Sequence, residues 1–203
     1  MTQNYLKTLQ ETGNNEYFDA AELDANRYYL LYIRKSIPDI KGKNITEIAC
    51  GHGRITNQII DEFQPNTVTL VDINQDNLDY CRERFSNHAN FEFVKTNGTN
   101  LAGIADGSQD FVYSFDSFVH FNGELVKLYI NEIKRVLAPG GTCFIHYSNA
   151  GTVDLSSTEM GHGLRGQMTQ AAMLDLLTDV EVLNSETIDW GIPNIDAIVT
   201  FRK

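Results

Sequence analysis

The sequence predicts an α/β fold: a doubly wound, seven-stranded, mostly parallel sheet with helices on both faces and a C-terminal antiparallel hairpin. Three observations carry this reading. From residue 44 onward, short β-branched or apolar runs alternate with amphipathic stretches, the pattern of successive βαβ units. A glycine-bearing turn, "ACGHGR" at 49–54, follows the first of these strands and opens a helix. The last two predicted strands have no helix between them, so they pair as a hairpin.

Taken in order, residues 19–36, "DAAELDANRYYLLYIRKS", read as one helix with Asp19 as N-cap and Pro38 beyond its end. "NITEIA" (44–49) is a strand, and "RITNQIIDEF" (54–63) a helix with Ile55, Ile59 and Phe63 on one face. "TVTLVD" (67–72) is a β-branched strand followed by a helix over 74–87. "FEFVKT" (91–96) alternates apolar and polar residues as a strand does, and "DFVYSF" (110–115) is another. The helix "ELVKLYINEIKRVL" (124–137) ends at Pro139-Gly140-Gly141 and leads into the strand "TCFIHY" (142–147). After a long loop, 168–179 reads as a helix, and 180–189 and 195–203 as the closing strands. We expect residues 1–43 to form a helical cap and 44–203 the ligand-binding domain, the whole being one structural domain.

Composition excludes several functions. The 203 residues carry 16 Lys and Arg against 27 Asp and Glu, a formal charge of −11. A surface this acidic repels phosphate polymers and anionic membranes unless its cations cluster, and here they do not. Nucleic acid and membrane are therefore not expected as partners. No apolar run is long enough to span a bilayer, and the N-terminus lacks the basic-then-apolar pattern of a secretion signal. Cys50, Cys81 and Cys143 fit neither a disulfide framework nor a zinc motif, which points to a reducing, cytoplasmic location.

Ligands in such sheets bind beyond the carboxyl ends of the strands. That places Ala49–Gly53, Asp72–Ile73, Thr96–Thr99, Phe115–His120 and His146–Asn149 around one site. A dinucleotide fingerprint needs a third glycine, and Arg54, Ile55 and Thr56 follow Gly53 instead. Glu47, just inside the first strand, suits a cationic ligand better than a polyphosphate.

On these residues the sequence resembles the class I S-adenosylmethionine-dependent methyltransferases, which share a Rossmann-like sheet. "EIACGHGR" resembles their first motif, with Ala49 in place of the usual first glycine, and "LVDIN" (70–74) their second strand ending in an acid. "KTNGTNL" (95–101), "DGSQDFVYSFDSFVH" (106–120) and "EIKRVLAPGGTCFI" (132–145) follow in family order, so the resemblance covers about 44–149. It implies S-adenosyl-L-methionine as cofactor, with S-adenosyl-L-homocysteine as product. It also implies that Gly51 and Gly53 let the backbone approach the cofactor and that Ala49 and Cys50 belong to the same loop. Glu47 would serve the amino-acid end and Asp72 both ribose hydroxyls. Ile73 would lie against the adenine, Asn97 or Gly98 would reach its edge, and Phe115 would line the site. Ala49 is harmless only if its backbone lies in the region open to any L-residue; a positive φ would count against it.

Methyl transfer from a sulfonium needs mainly alignment, and a hydroxyl acceptor benefits from a base. His146 and His120, at the ends of the fifth and fourth strands, are the candidates. Asp116, Asn149, His162 and Arg165 are candidate acceptor contacts, the last two in the long loop after the fifth strand. No metal is expected, since no acidic pair stands out near the acceptor, although Asp116 could serve as a single ligand. A shorter resemblance, "SFDSFVHF…FIHYSN", is to bacterial sugar and polysaccharide O-methyltransferases. It favours a small-molecule or glycan-precursor hydroxyl as acceptor, with N-methylation and non-catalytic cofactor binding left open. Oligomeric state is not legible.

Overall fold

The computed structural model describes residues 15–152 and 165–203. Seven strands form one sheet: β1 Asn44–Ile48, β2 Thr67–Asp72, β3 Phe91–Lys95, β4 Gln109–Phe118, β5 Leu137–Ser148, β6 Glu181–Ile188 and β7 Asp196–Arg202. Their spatial order is β3-β2-β1-β4-β5-β7-β6. The first five run parallel, and β7 pairs antiparallel with both β5 and β6. The mostly parallel sheet and closing hairpin are as expected. What the sequence did not reveal is that β7 inserts between β5 and β6.

The order reverses beside β1, whose two neighbours are β2 and β4. The chain leaves β1 and β4 in opposite directions across the sheet, which opens a crevice at their carboxyl ends. Helices cover both faces. On one, α5 (Gly123–Val136) and α6 (Gln170–Asp175) enclose Phe118, Tyr129, Ile133, Tyr147 and Phe201. On the other, α3 (Arg54–Phe63) and α4 (Gln75–Arg84) enclose Ile45, Ile55, Ile59, Phe111 and Phe144. The helix at 54–63 has the bounds its apolar spacing predicts. The N-terminal end of α4 is capped by Asn74, whose side chain accepts the Asp76 N–H at 3.1 Å.

The single helix predicted over 19–36 is instead a series of pieces. Helix α1 (Asn15–Leu23) stops at Asp24, α2 spans Ala25–Tyr28, a π-turn follows over Tyr29–Ile33 and a 3₁₀ turn over Arg34–Ser36. The buried residues explain the change. Ala25, Tyr29, Ile33 and Ile37 recur every fourth residue, and all are buried. An α-helix of 3.6 residues per turn would rotate that stripe off the core, whereas a wider π-turn keeps it facing inward.

Strand β4 is longer than predicted because it continues through a bulge. Ser114 stands opposite Ile145 and Phe118 opposite Tyr147, so Phe115, Asp116 and Ser117 share one partner position, that of His146. Among the described residues no helix is long and apolar enough to cross a membrane.

Candidate active site

The crevice is an open cleft of about 1110 Å³, counting the space open to solvent. Its floor is the β1–α3 loop. Ala49, Gly51 and Gly53 all have positive φ, at 54°, 53° and 70°. A Cβ on Gly51 would lie 2.6 Å from the Phe18 ring, and one on Gly53 would lie 2.7 Å from the Phe85 ring. Both glycines are therefore required by conformation and by space. Ala49 does not meet the condition set for a harmless substitution. Its left-handed backbone costs about 1–2 kcal/mol for an L-residue. Neighbours hold it there: Cys50 N–H donates to Val71 O at 3.1 Å, and Ser117 Oγ donates to Ala49 O at 3.2 Å.

Asp72 ties the floor to the end of β2. Its Oδ2 accepts the Gly51 N–H at 2.9 Å, while Oδ1 accepts from Asn74 N–H at 2.8 Å and Asn77 Nδ2 at 3.2 Å. Burial pushes its pKa up, and these donors work against that rise. Glu47 is 3% exposed and accepts a hydrogen bond from Thr56 Oγ1, which also pairs with Tyr113 OH at 2.6 Å. Burial raises Glu47 to about 7, with Thr56 and Arg54 opposing.

Ile73, Thr96 and Gly98, at and beyond the ends of β2 and β3, line one side of the cleft; Phe115, Asp116, Ser117, His120 and Phe121, in and after the β4 bulge, line another, and Tyr129 of α5 stacks on Phe121 at 5.6 Å. Helix α1 closes over the floor. Tyr17 OH donates to Asp116 Oδ2 at 2.8 Å, and Arg54 Nη2 meets the same oxygen at 2.7 Å. Burial alone would raise the Asp116 carboxyl, but Arg54 beside it holds it below the ordinary range. Phe18 stacks on His52 and His52 on Tyr80, with centroids 4.0 and 3.8 Å apart, while Arg84 pairs with Glu22 at 2.8 Å.

Among the predicted residues, Glu47, Ala49, Cys50, Gly51, Asp72, Ile73, Gly98, Phe115, Asp116 and His120 line the cleft. Gly53 is not among the lining residues; it is the N-cap of α3, at the end of the turn. Asn97 turns away, its Oδ1 accepting from Thr99 N–H at 3.0 Å and Thr99 Oγ1 at 2.8 Å. His146 is fully buried behind Phe115, and both ring nitrogens are engaged: Asp116 N–H donates to Nδ1, and Nε2 faces Asp196 Oδ2, each at 3.2 Å. A ring so enclosed cannot take a proton from an acceptor in the cleft, which corrects its expected role as base. Arg165 is likewise buried, paired to Asp196 Oδ2 at 2.9 Å, and so is not a surface anion contact. Asn149 braces the β5 end instead of facing the cleft; its Oδ1 accepts Gln170 N–H at 2.7 Å and its Nδ2 donates to Asn194 O at 3.0 Å. His162 lies outside the described residues. Among those described, no group of three or more His, Cys, Asp or Glu could hold a metal ion.

Several lining residues escaped the sequence reading. Arg54 and Asn77 had a usable signal, standing one residue beyond the glycine turn and one helical turn beyond Asp72. Tyr17, Phe18 and Glu22 had none, because only the fold brings α1 over the loop.

A family described as a methyltransferase domain matches residues 45–141, from β1 to the Pro-Gly-Gly turn in β5. The match and the fold together support a class I S-adenosylmethionine-dependent methyltransferase domain. A fatty-acid O-methyltransferase of Mycolicibacterium smegmatis is 32% identical over 123 residues, covering 58% of this chain and 42% of that protein. An ornithine lipid N-methyltransferase of Singulisphaera acidiphila is 33% identical over 113 residues, covering 53% and 59%. The chain thus spans about half the length of the curated relatives it matches. A SAM dependent methyltransferase from Aquifex aeolicus shares the fold at TM-score 0.64 and 16% identity, over 100% of this chain and 98% of that one. The cleft of this methyltransferase domain fits the cofactor on its own chemistry. Two buried acids at the cleft, Glu47 and Asp72, suit a cation and a diol better than a pyrophosphate.

Proposed function

We propose that this chain transfers a methyl group from S-adenosylmethionine to an oxygen of a small, lipid-like acceptor. The observation that carries the reading is the Gly51 N–H held on Asp72 Oδ2 at 2.9 Å, which fixes the turn and leaves the carboxylate at the cleft. Asp72 would then accept the ribose hydroxyls, a charge-assisted bidentate contact. Ile73 and Gly98 would meet the adenine, and Glu47 with the Ala49–Gly51 backbone would meet the amino-acid end. When bound, the cofactor supplies a methyl group made electrophilic by a positively charged sulfur.

From Asp72 on β2 the cleft continues past β1 to β4, so the acceptor side is the wall of Phe115, Asp116, Ser117, His120 and Phe121. We assign His120 as the group that takes the proton of an acceptor hydroxyl as its oxygen attacks; a carboxylate acceptor would need no such step. The apolar Phe115, Phe121 and Leu125, together with the fatty-acid O-methyltransferase relative, favour a lipid-like acceptor over a sugar. The ornithine lipid N-methyltransferase favours a second reading, in which the acceptor is an amine and His120 only shapes the pocket.

The test is incubation with S-adenosylmethionine and separate pools of fatty acids, hydroxylated lipids, amino-lipids and sugars, read by mass spectrometry. Cofactor-dependent gain of one methyl on a lipid oxygen is expected. Product only among amines or sugars contradicts the oxygen-lipid assignment, and no product despite cofactor binding favours a non-catalytic binding protein.

A further inference from the structure

His146, the buried ring removed from the base role, does something else. It stands alone opposite the three residues of the β4 bulge, at the point where the ladder between β4 and β5 is interrupted. The Asp116 N–H, freed from the ladder by the bulge, donates to His146 Nδ1 at 3.2 Å. Because Nδ1 accepts, the neutral ring carries its proton on Nε2, which donates to Asp196 Oδ2 at 3.2 Å. Asp196, on β7, is itself fully buried and is balanced by Arg165 at 2.9 Å on the same oxygen. Arg165 is anchored in turn, since the next residue, Gly166, donates its N–H to Val119 O at 2.8 Å and accepts from Ser148 Oγ at 2.6 Å.

The other end of this chain of contacts is unusual. Asp116 has φ +62°, a left-handed conformation that a non-glycine residue keeps only when its surroundings over-determine it. That backbone aims the carboxylate across the cleft wall onto Arg54 and Tyr17. Bulges beside binding sites commonly re-aim a side chain in this way.

We propose that His146, backed by Asp196 and Arg165, is a positioning residue. As the neutral Nε2–H tautomer it holds the Asp116 backbone in its left-handed bulge, and through Asp116 it sets the Arg54–Tyr17 clamp at the β4 side of the cleft. The affinity part of the test rests on the cofactor reading above; the tautomer part does not.

The experiment begins with the wild-type chain labelled with ¹⁵N-histidine. Long-range ¹H–¹⁵N spectra at neutral pH are expected to report His146 protonated on Nε2 only, and a proton on Nδ1 overturns the proposal. His146→Phe keeps the ring volume without the acceptor, and His146→Asn offers an oxygen close to the Nδ1 position. In His146→Phe the Asp116 amide is expected to exchange faster, and S-adenosylmethionine to bind roughly tenfold more weakly, the scale of one lost hydrogen bond. His146→Asn is expected to recover most of both. Unchanged Asp116 exchange in His146→Phe, or equal losses in the two variants, overturns the positioning role. Failure of the wild type to bind the cofactor would sink the cofactor reading instead, and the tautomer and Asp116 exchange would still decide this one.

Discussion

Replacing Glu47 with glutamine removes a carboxyl group that is 3% exposed and held between Thr56 and Tyr113. Burial raises that carboxyl from its ordinary value of 4.5 to about 7. Below pH 4.5 the group is protonated in both folded and unfolded chains, so its contribution to stability is fully present. Between 4.5 and 7 the unfolded chain releases the proton while the folded chain keeps it, and stability falls as pH rises. At about 1.36 kcal/mol per unit, the 2.5-unit difference amounts to about 3 kcal/mol, lost once pH exceeds about 7. Glutamine accepts the Thr56 hydrogen bond and does not titrate, so the variant lacks this slope. Urea unfolding from pH 4.5 to 8, followed by the fluorescence of the single tryptophan, Trp190, measures both proteins. The stability of Glu47→Gln relative to wild type is expected to rise by about 3 kcal/mol across that range. A difference that stays flat with pH refutes the buried, raised carboxyl.

Four further outcomes follow from the same geometry. If the cofactor's cationic end meets Glu47, binding at pH 7 ionises a half-protonated group, and calorimetry in two buffers of different ionisation enthalpy will report release of roughly half a proton; no buffer dependence contradicts it. Ala49→Gly relieves about 1–2 kcal/mol of left-handed strain against about 0.4–1 kcal/mol of added unfolded-chain entropy. Its melting temperature is expected to match or slightly exceed that of wild type, and a clear drop would show that the methyl is needed. Gly51→Ala places a Cβ 2.6 Å from the Phe18 ring at φ +53°, so it is expected to cost at least about 1–2 kcal/mol in denaturant unfolding. His120→Ala is expected to slow transfer to a hydroxyl acceptor about 10²-fold or more at neutral pH with cofactor affinity unchanged; an unaltered rate removes the base assignment.

The parts of this molecule that were legible in the sequence are those governed by local chemistry. The amphipathic spacing of Ile55 and Ile59, the β-branched run ending at Asp72 and the Pro-Gly-Gly stop after α5 each encode an element within one window of residues. The glycine turn was legible because Gly51 and Gly53 have no alternative; the backbone demands positive φ and neighbouring rings leave no space. What was not legible depends on packing between distant segments. The π-turn at Tyr29–Ile33 arises from a stripe that must face the sheet, and its four-residue period passes for an ordinary helix when read alone. His146 looked like a base because it ends a strand beside polar residues. Its burial is set by Phe115, Trp190 and Asp196, which come from two other strands and the loop between β6 and β7. Ala49 sits at positive φ because Cys50 and Ser117 hold the loop from both sides, and the Ser117 contact spans 68 residues of sequence.

In the proposed function this cleft holds a sulfonium nucleoside with its ribose on Asp72. Titration calorimetry of the wild-type chain and Asp72→Ala with S-adenosylmethionine tests it most directly. One-to-one binding by the wild type is expected, with affinity falling about 10- to 100-fold or more in the variant as a charged hydrogen-bond acceptor is lost. Equal affinity in the two proteins, or no binding by a folded wild type, contradicts the account.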